Sequence, residues 1–178
     1  HDALNFLGGV GYTGLAGRFT AEYALTATEE GPGVNDYIHS IVAKLILLPE
    51  LEYVLVNNYG QSWDQARQSS AVWYGINQYL TCALTEELAA GLRFEWFRDI
   101  DGTRVRGLRD GNTLPLGVSG DFYAITFGLN YTPLENLRLR PEVRCDFFDP
   151  IGEGVPLPYD AGQRDRQFLF AIDVLYTF

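Results

Sequence analysis

The stretch Leu137 to Phe148, LRLRPEVRCDFF, sets Leu137, Leu139, Val143, Cys145 and Phe147 on one parity and Arg138, Arg140, Glu142, Arg144 and Asp146 on the other. Successive strand side chains point to opposite faces, so this segment as a strand has one apolar face and one charged face. A helix built from it would scatter both classes around its circumference. The same period of two recurs over 18–28, 88–97, 121–131 and 168–178, and more weakly over 4–12, 37–47, 51–59 and 72–84. Gln78 breaks the apolar parity of the last of these, and in 51–59 both parities are partly apolar. Repeated alternation predicts an all-β, antiparallel chain of about 8–10 strands, organised as one domain over residues 1–178.

Composition narrows what solvent the two faces meet. The chain is 47% hydrophobic and 14% aromatic, yet its mean hydropathy is -0.07, as expected when apolar and polar residues are interleaved. The longest apolar stretch, Ile41 to Leu48, is interrupted by Lys44 and ended by Pro49. No window reaches the roughly 20 apolar residues of a membrane helix. A net charge of -10 with 13 Lys and Arg argues against general nucleic-acid binding, which needs clustered cations. Cys82 and Cys145 have neither metal-ligand nor disulfide-framework spacing and read as small hydrophobes.

Connections expected to be short, at 13–17, 48–50, 85–87 and 132–136, alternate with segments expected to be longer loops, at 29–36, 60–70, 99–119 and 149–163. Alternating short and long connections put all turns at one end of the sheet and all loops at the other. That is the layout of an up-and-down transmembrane β-barrel, whose tilted strands of about 9–11 residues cross a bilayer. In such a barrel the apolar parity faces lipid and the polar parity faces water. Aromatics are expected at both interfaces. Tyr59, Trp73, Trp96 and Tyr123, with Tyr37 and Phe147, fall at the loop ends of their strands, and Tyr131 and Tyr176, with Tyr12, Tyr53 and Tyr79, near the turn ends.

The chain closes on FLFAIDVLYTF, and Tyr176 and Phe178 at the end of an alternating strand look like the C-terminal signal that outer-membrane barrels present to their insertion machinery. From about Ala71 onward the sequence resembles the OmpL-like β-barrel porin family. The resemblance is carried by Arg93-x-Glu95, Arg98-Asp99-x-Asp101-Gly102, Arg140-Pro141-Glu142-x-Arg144-x-Asp146 and the terminal DVLYTF. It implies a bacterial outer-membrane location in a Gram-negative organism and a pore, without naming a solute. Tracing strands backwards from Phe178 makes 4–12 a descending strand, which suggests the C-terminal part of a larger barrel of about 12 strands; alternatively, eight strands close by themselves.

On this reading Arg18, Glu22, Arg93, Glu95, Arg138, Arg140, Glu142, Arg144, Asp146 and Asp173 line a pore. They form either a wall that attracts anionic solutes or a lattice of cross-strand ion pairs that stiffens the barrel. Asp99 and Asp101 in DIDG fall short of a Ca²⁺ cage and suit turn chemistry, so no metal and no cofactor is expected. The 99–119 loop is long enough to fold into the lumen. His39 beside Ser40 is the sole candidate nucleophile and base pair, and adjacent strand residues point to opposite faces, so no enzyme is expected. GGVGYTG near the start lacks the Lys-Ser/Thr of a phosphate loop. The leading expectation is a porin for small hydrophilic solutes, with outer-membrane lipids and the insertion machinery as partners and no nucleic acid. The rivals are a non-conducting barrel that anchors or binds through its loops and a soluble lipocalin-like ligand binder.

Overall fold

The computed structural model describes residues 5–31, 33–105 and 117–178. They form nine strands: β1 Phe6–Gly14, β2 Phe19–Gly31, β3 Val34–Leu48, β4 Leu51–Asp64, β5 Ser69–Ala83, β6 Leu88–Asp99, β7 Gly120–Leu134, β8 Leu137–Pro150 and β9 Arg166–Tyr176. All nine lie in one sheet in chain order, and every neighbouring pair is antiparallel. The fold is therefore an all-β up-and-down sheet. It is not closed: among the described residues β1 pairs only with β2, and β9 only with β8.

Register converts the sequence alternation into two faces, because cross-strand partners share a face. Asn77, Glu95, Ala124, Asp146 and Gln167 are successive partners from β5 to β9 and define the inner face. Leu80, Leu92, Phe127, Val143 and Phe170 are successive partners over the same strands and define the outer face. Apart from Asp121, which is buried at the loop end of the outer face against Arg98 and Trp96, the buried residues gather on the inner face and its loops, where the apolar members are Trp73, Val118, Ala124 and Phe148 and the polar ones are Asp36, Asp99, Thr126 and Asp146. The outer face is a continuous exposed apolar surface, with Phe127 at 47% and Phe170 at 67% exposure. A soluble ligand-binding barrel requires the opposite arrangement.

The expected connections differ from the observed ones at two places. Residues 29–36 and 60–70 are mostly strand: β2 and β3 are separated only by residues 32 and 33, and β4 and β5 by residues 65–68. Strict alternation of short and long connections is thus lost, and the long ones are 100–119 and 151–165. Polar side chains such as Asn35, Ser62 and Ser70 end the hydrophobic pattern without ending the ladder, whose pairs Asn35↔Trp63 and Trp63↔Ser70 continue beyond it. Hydropathy marks the apolar band, whereas backbone hydrogen bonds decide where a strand stops.

The polar residues that interrupt the apolar parity of β4 and β5 are satisfied locally. Gln78 lies on the outer face and its Oε1 accepts a hydrogen bond from the Tyr53 hydroxyl at 2.8 Å, while Asn57 donates through Nδ2 to the Gly75 carbonyl at 3.1 Å. Each group is paired without leaving its strand, so register holds despite the local polarity.

Candidate pore-lining wall

The charged half of β8 meets its complement on β6. Arg93 and Glu95 alternate on the inner face of β6, and Thr126 and Ala124 separate them from Arg144 and Asp146 on β8. Glu95 reaches across this gap of small residues and takes both cations, Arg144 at 2.8 Å and Arg93 at 3.3 Å. Arg144 also donates through Nε to Asp146 at 2.6 Å, Gln167 on β9 donates to the other Asp146 oxygen at 2.7 Å, and Arg93 donates to the Thr126 hydroxyl at 3.2 Å. The result is a lattice of ion pairs and hydrogen bonds over four strands whose two cations and two anions balance; Glu95 Oε2 and Arg93 Nε contribute to it through charge alone, without a hydrogen bond among the described residues. Nearer the turn end, Arg140 pairs with Asp173 across β8 and β9, and Lys44 with Glu52 across β3 and β4.

The other expected wall residues are placed less tightly. Glu22, Arg138 and Glu142 lie exposed on the inner parity, and no ion pair is formed by them among the described residues. Arg18 does not belong to the wall. Its guanidinium donates to the carbonyls of Ile46 (3.1 and 2.8 Å) and Leu47 (2.7 Å), fastening the first turn to the end of β3. A run of three residues with positive φ, Leu15, Ala16 and Gly17, brings Arg18 round to those carbonyls.

On the outer face the aromatics form a belt near the loop ends. Tyr23, His39, Tyr59, Tyr74 and Trp96 follow one another on β2 to β6, with ring centroids 5.9, 6.1, 6.4 and 5.6 Å apart. Register extends the row to Tyr123 and Phe147. Tyr131 and Tyr176 lie on the same face toward the turn ends. His39 belongs to this belt, hydrogen-bonded through Nδ1 to the Tyr23 hydroxyl at 2.6 Å, and Ser40 points to the other face. Trp73 and Tyr79 depart from the expected girdles: register puts both on the inner face, partnered with Asp99 and Arg93. Parity decides this, since each is an odd number of residues from the outer-facing Tyr74 and Leu80.

Trp73 instead takes part in a cluster at the loop end of the inner face that the sequence pattern does not reveal. Its ring lies over Gly60 of β4, where an added Cβ would overlap the indole. Arg104, beyond the end of β6, stacks its guanidinium 3.4 Å from the Trp73 ring centroid and donates to Asp36 of β3 at 3.0 Å. Asp99 pairs with no cation among the described residues. It accepts hydrogen bonds from the backbone N–H groups of Thr103, Arg104 and Val105 at 3.1, 2.7 and 2.8 Å, and Asp101 accepts one from Val72 at 2.9 Å. The expected turn role of the DIDG aspartates is therefore what the geometry displays; the Arg-Asp-Gly-Asn stretch at 109–112 lies outside the described residues.

An inner face of paired charges, an outer face of exposed apolar residues and an aromatic belt are the three marks of a membrane barrel wall. A family model described as putative beta-barrel porin-2, OmpL-like, matches residues 2–178. The chain belongs to this OmpL-like porin family. Membership covers the first 70 residues as well as the C-terminal portion where its motifs were legible, so the Gly-rich β1 is part of the family's fold. No curated protein and no solved structure matches the chain.

Within this OmpL-like wall the second long loop, 151–165, folds back toward the lattice. Its Tyr159 lies close enough to Arg144 and Asp146 for their charges to act on it; burial, reinforced by the Asp146 carboxylate, pushes the phenol above its ordinary value of 10.0. Tyr159 also anchors its own loop, pairing with Arg164 and accepting from Gly162 and Gln163 through its carbonyl. Arg140, Glu142, Asp173, Gly91 and Gly128 border a groove of about 630 Å³ on the inner face. An added Cβ at Gly91 would meet nothing within 4 Å, so side-chain-sized space remains open beside the charged row.

Proposed function

We propose that the chain forms the wall of a bacterial outer-membrane channel through which small hydrophilic solutes diffuse passively. The observation that carries this reading is the inverted polarity of the central strands: Phe127 and its β8 partner Val143 stand exposed on the outer face, while the next residue of β8, Arg144, is held in an ion-pair lattice on the inner one. Lipid is the environment that stabilises such an outer face, and a wet interior the one that tolerates such an inner face. The two sheet edges, free among the described residues, are consistent with part of a barrel, because an exposed backbone ladder must find a partner in hydrocarbon. Lipids, the barrel-insertion machinery engaging Tyr176 and Phe178, and small polar solutes are its partners in this account.

Purified protein inserted into planar lipid bilayers tests the proposal. Discrete conductance steps in KCl are expected. Verified insertion with no step above background would refute the channel and leave a membrane anchor that acts through its loops.

A further inference from the structure

The stem of the β6–β7 connection lies over the inner face, where its Arg104 meets Trp73 and Asp36. Asp99, fully buried, gathers the N–H groups of residues 103–105 around one carboxylate and so fixes the direction in which the chain departs from β6. Gly102 at φ +64° touches the returning stem, where an added Cβ on Gly117 would overlap the Gly102 carbonyl oxygen. Val118, also fully buried, donates its N–H to the Val105 carbonyl at 2.9 Å. The two stems thus brace each other, and from this brace Arg104 reaches over Trp73 of β5 to Asp36 of β3. The reach is three inter-strand spacings, about 14 Å.

The geometry is that of a latch. Asp36 is 2% exposed, and one of its two carboxylate oxygens has no hydrogen-bond partner among the described residues. Arg104 is therefore the group that compensates a nearly dry negative charge, and the planar guanidinium simultaneously lies on the indole face. Gly60 is needed beneath, because the indole occupies the space of its missing side chain.

We propose that this stem is a fixed crossbar over the loop-end mouth of the channel, that it narrows the passage, and that Arg104 is the latch residue that sets both its width and its charge. The inference rests on the channel reading above. In a wide barrel a segment pinned across the lumen reduces conductance in proportion to the section it occupies, and a charge at a constriction weighs on passing ions more than the same charge elsewhere on the wall.

Arg104→Ala, Asp36→Asn and Trp73→Ala, each verified as folded by heat-dependent gel migration, are compared with the parent protein in planar bilayers under a KCl gradient. Each variant releases the crossbar, so single-channel conductance is expected to rise roughly 1.5- to 2-fold in all three. Selectivity separates them. Arg104→Ala leaves Asp36 uncompensated and shifts the reversal potential toward cations; Asp36→Asn leaves Arg104 uncompensated and shifts it toward anions; Trp73→Ala moves it little. Arg104→Lys keeps the charge but loses the planar stack, and is expected to give intermediate conductance at parental selectivity; it serves as the mild variant if the others do not fold. Parental steps with unchanged conductance in the variants, or with the two charge variants shifting selectivity in the same direction, would overturn the crossbar alone. Absence of steps from the parent protein would instead refute the channel.

Discussion

Placing an arginine at position 127 or at position 128 asks the two faces of one strand the same question. Phe127 is the middle of β7 and lies midway between Tyr123 and Tyr131 on the outer face. Those two tyrosines are separated along the membrane normal by about 21 Å, from a rise of about 3.4 Å per residue and a tilt of about 40°. That is close to the apolar band of about 25 Å, so position 127 sits at its midplane. Arg at the midplane of a lipid-facing strand costs about 2–4 kcal/mol. Removing the Phe ring itself forfeits little packing within the protein, because 47% of the residue is exposed. In water the same exchange on an exposed surface would fall within about 0.5 kcal/mol of zero. Gly128, one residue along, faces inward opposite Glu142, and an added Cβ there meets only the Glu142 Cβ at 3.6 Å and the Pro141 carbonyl oxygen at 3.7 Å. Gly128→Arg gains a carboxylate neighbour and a wet setting and is expected to cost less than about 1 kcal/mol. Urea unfolding from lipid vesicles, followed by the fluorescence of the 3 tryptophans, measures both. A Phe127→Arg variant within about 0.5 kcal/mol of the parent would refute the lipid-facing assignment.

Glu95→Gln removes the anion shared by Arg93 and Arg144; because all three side chains are partly solvated, a loss of about 1–2 kcal/mol is expected in the same assay, and Glu95→Gln combined with Arg144→Gln should cost less than the two singles added. Gly60→Ala drives a methyl group into the Trp73 indole and is expected to lower stability by about 1–3 kcal/mol while changing tryptophan emission; an unchanged spectrum would contradict the packing of that ring. Tyr159 is held above its ordinary value, so its neutral form favours the docked loop: that stabilisation is complete below about pH 10 and is lost as pH rises through the elevated value. Limited proteolysis at 151–165 should therefore increase in strong alkali for the parent, and Tyr159→Phe should abolish the pH dependence.

The faces of the central strands were legible because alternation is a local property. Leu139, Val143 and Phe147 must share a side whatever the rest of the chain does, and the partners of Glu142 and Asp146 follow from it. Strand ends were not legible at 29–36 and 60–70, since a polar residue beyond the apolar band looks the same in a ladder as in a loop. Trp73 was misplaced for a related reason: an aromatic near an interface suits a girdle by position, and only its parity against Tyr74 assigns it inward. Arg18 alternates with Phe19 yet serves the turn, because its backbone follows three residues of positive φ instead of continuing a strand. The contact between Arg104 and Asp36 joins residues 68 apart. No local pattern foretells it, although the Arg-Asp-x-Asp-Gly run that directs the stem was visible as turn chemistry.

The most direct test of inverted polarity is a nitroxide scan along β7. Each residue from Tyr123 to Leu129 is replaced in turn by spin-labelled cysteine, in protein whose Cys82 and Cys145 are changed to serine, and the labelled protein is inserted in lipid vesicles. Labels at 123, 125, 127 and 129 should collide preferentially with oxygen, which concentrates in hydrocarbon, and labels at 124, 126 and 128 with a water-soluble nickel chelate. The reverse alternation, or labels at 125 and 127 shielded from both reagents as in a dry protein core, would contradict the account.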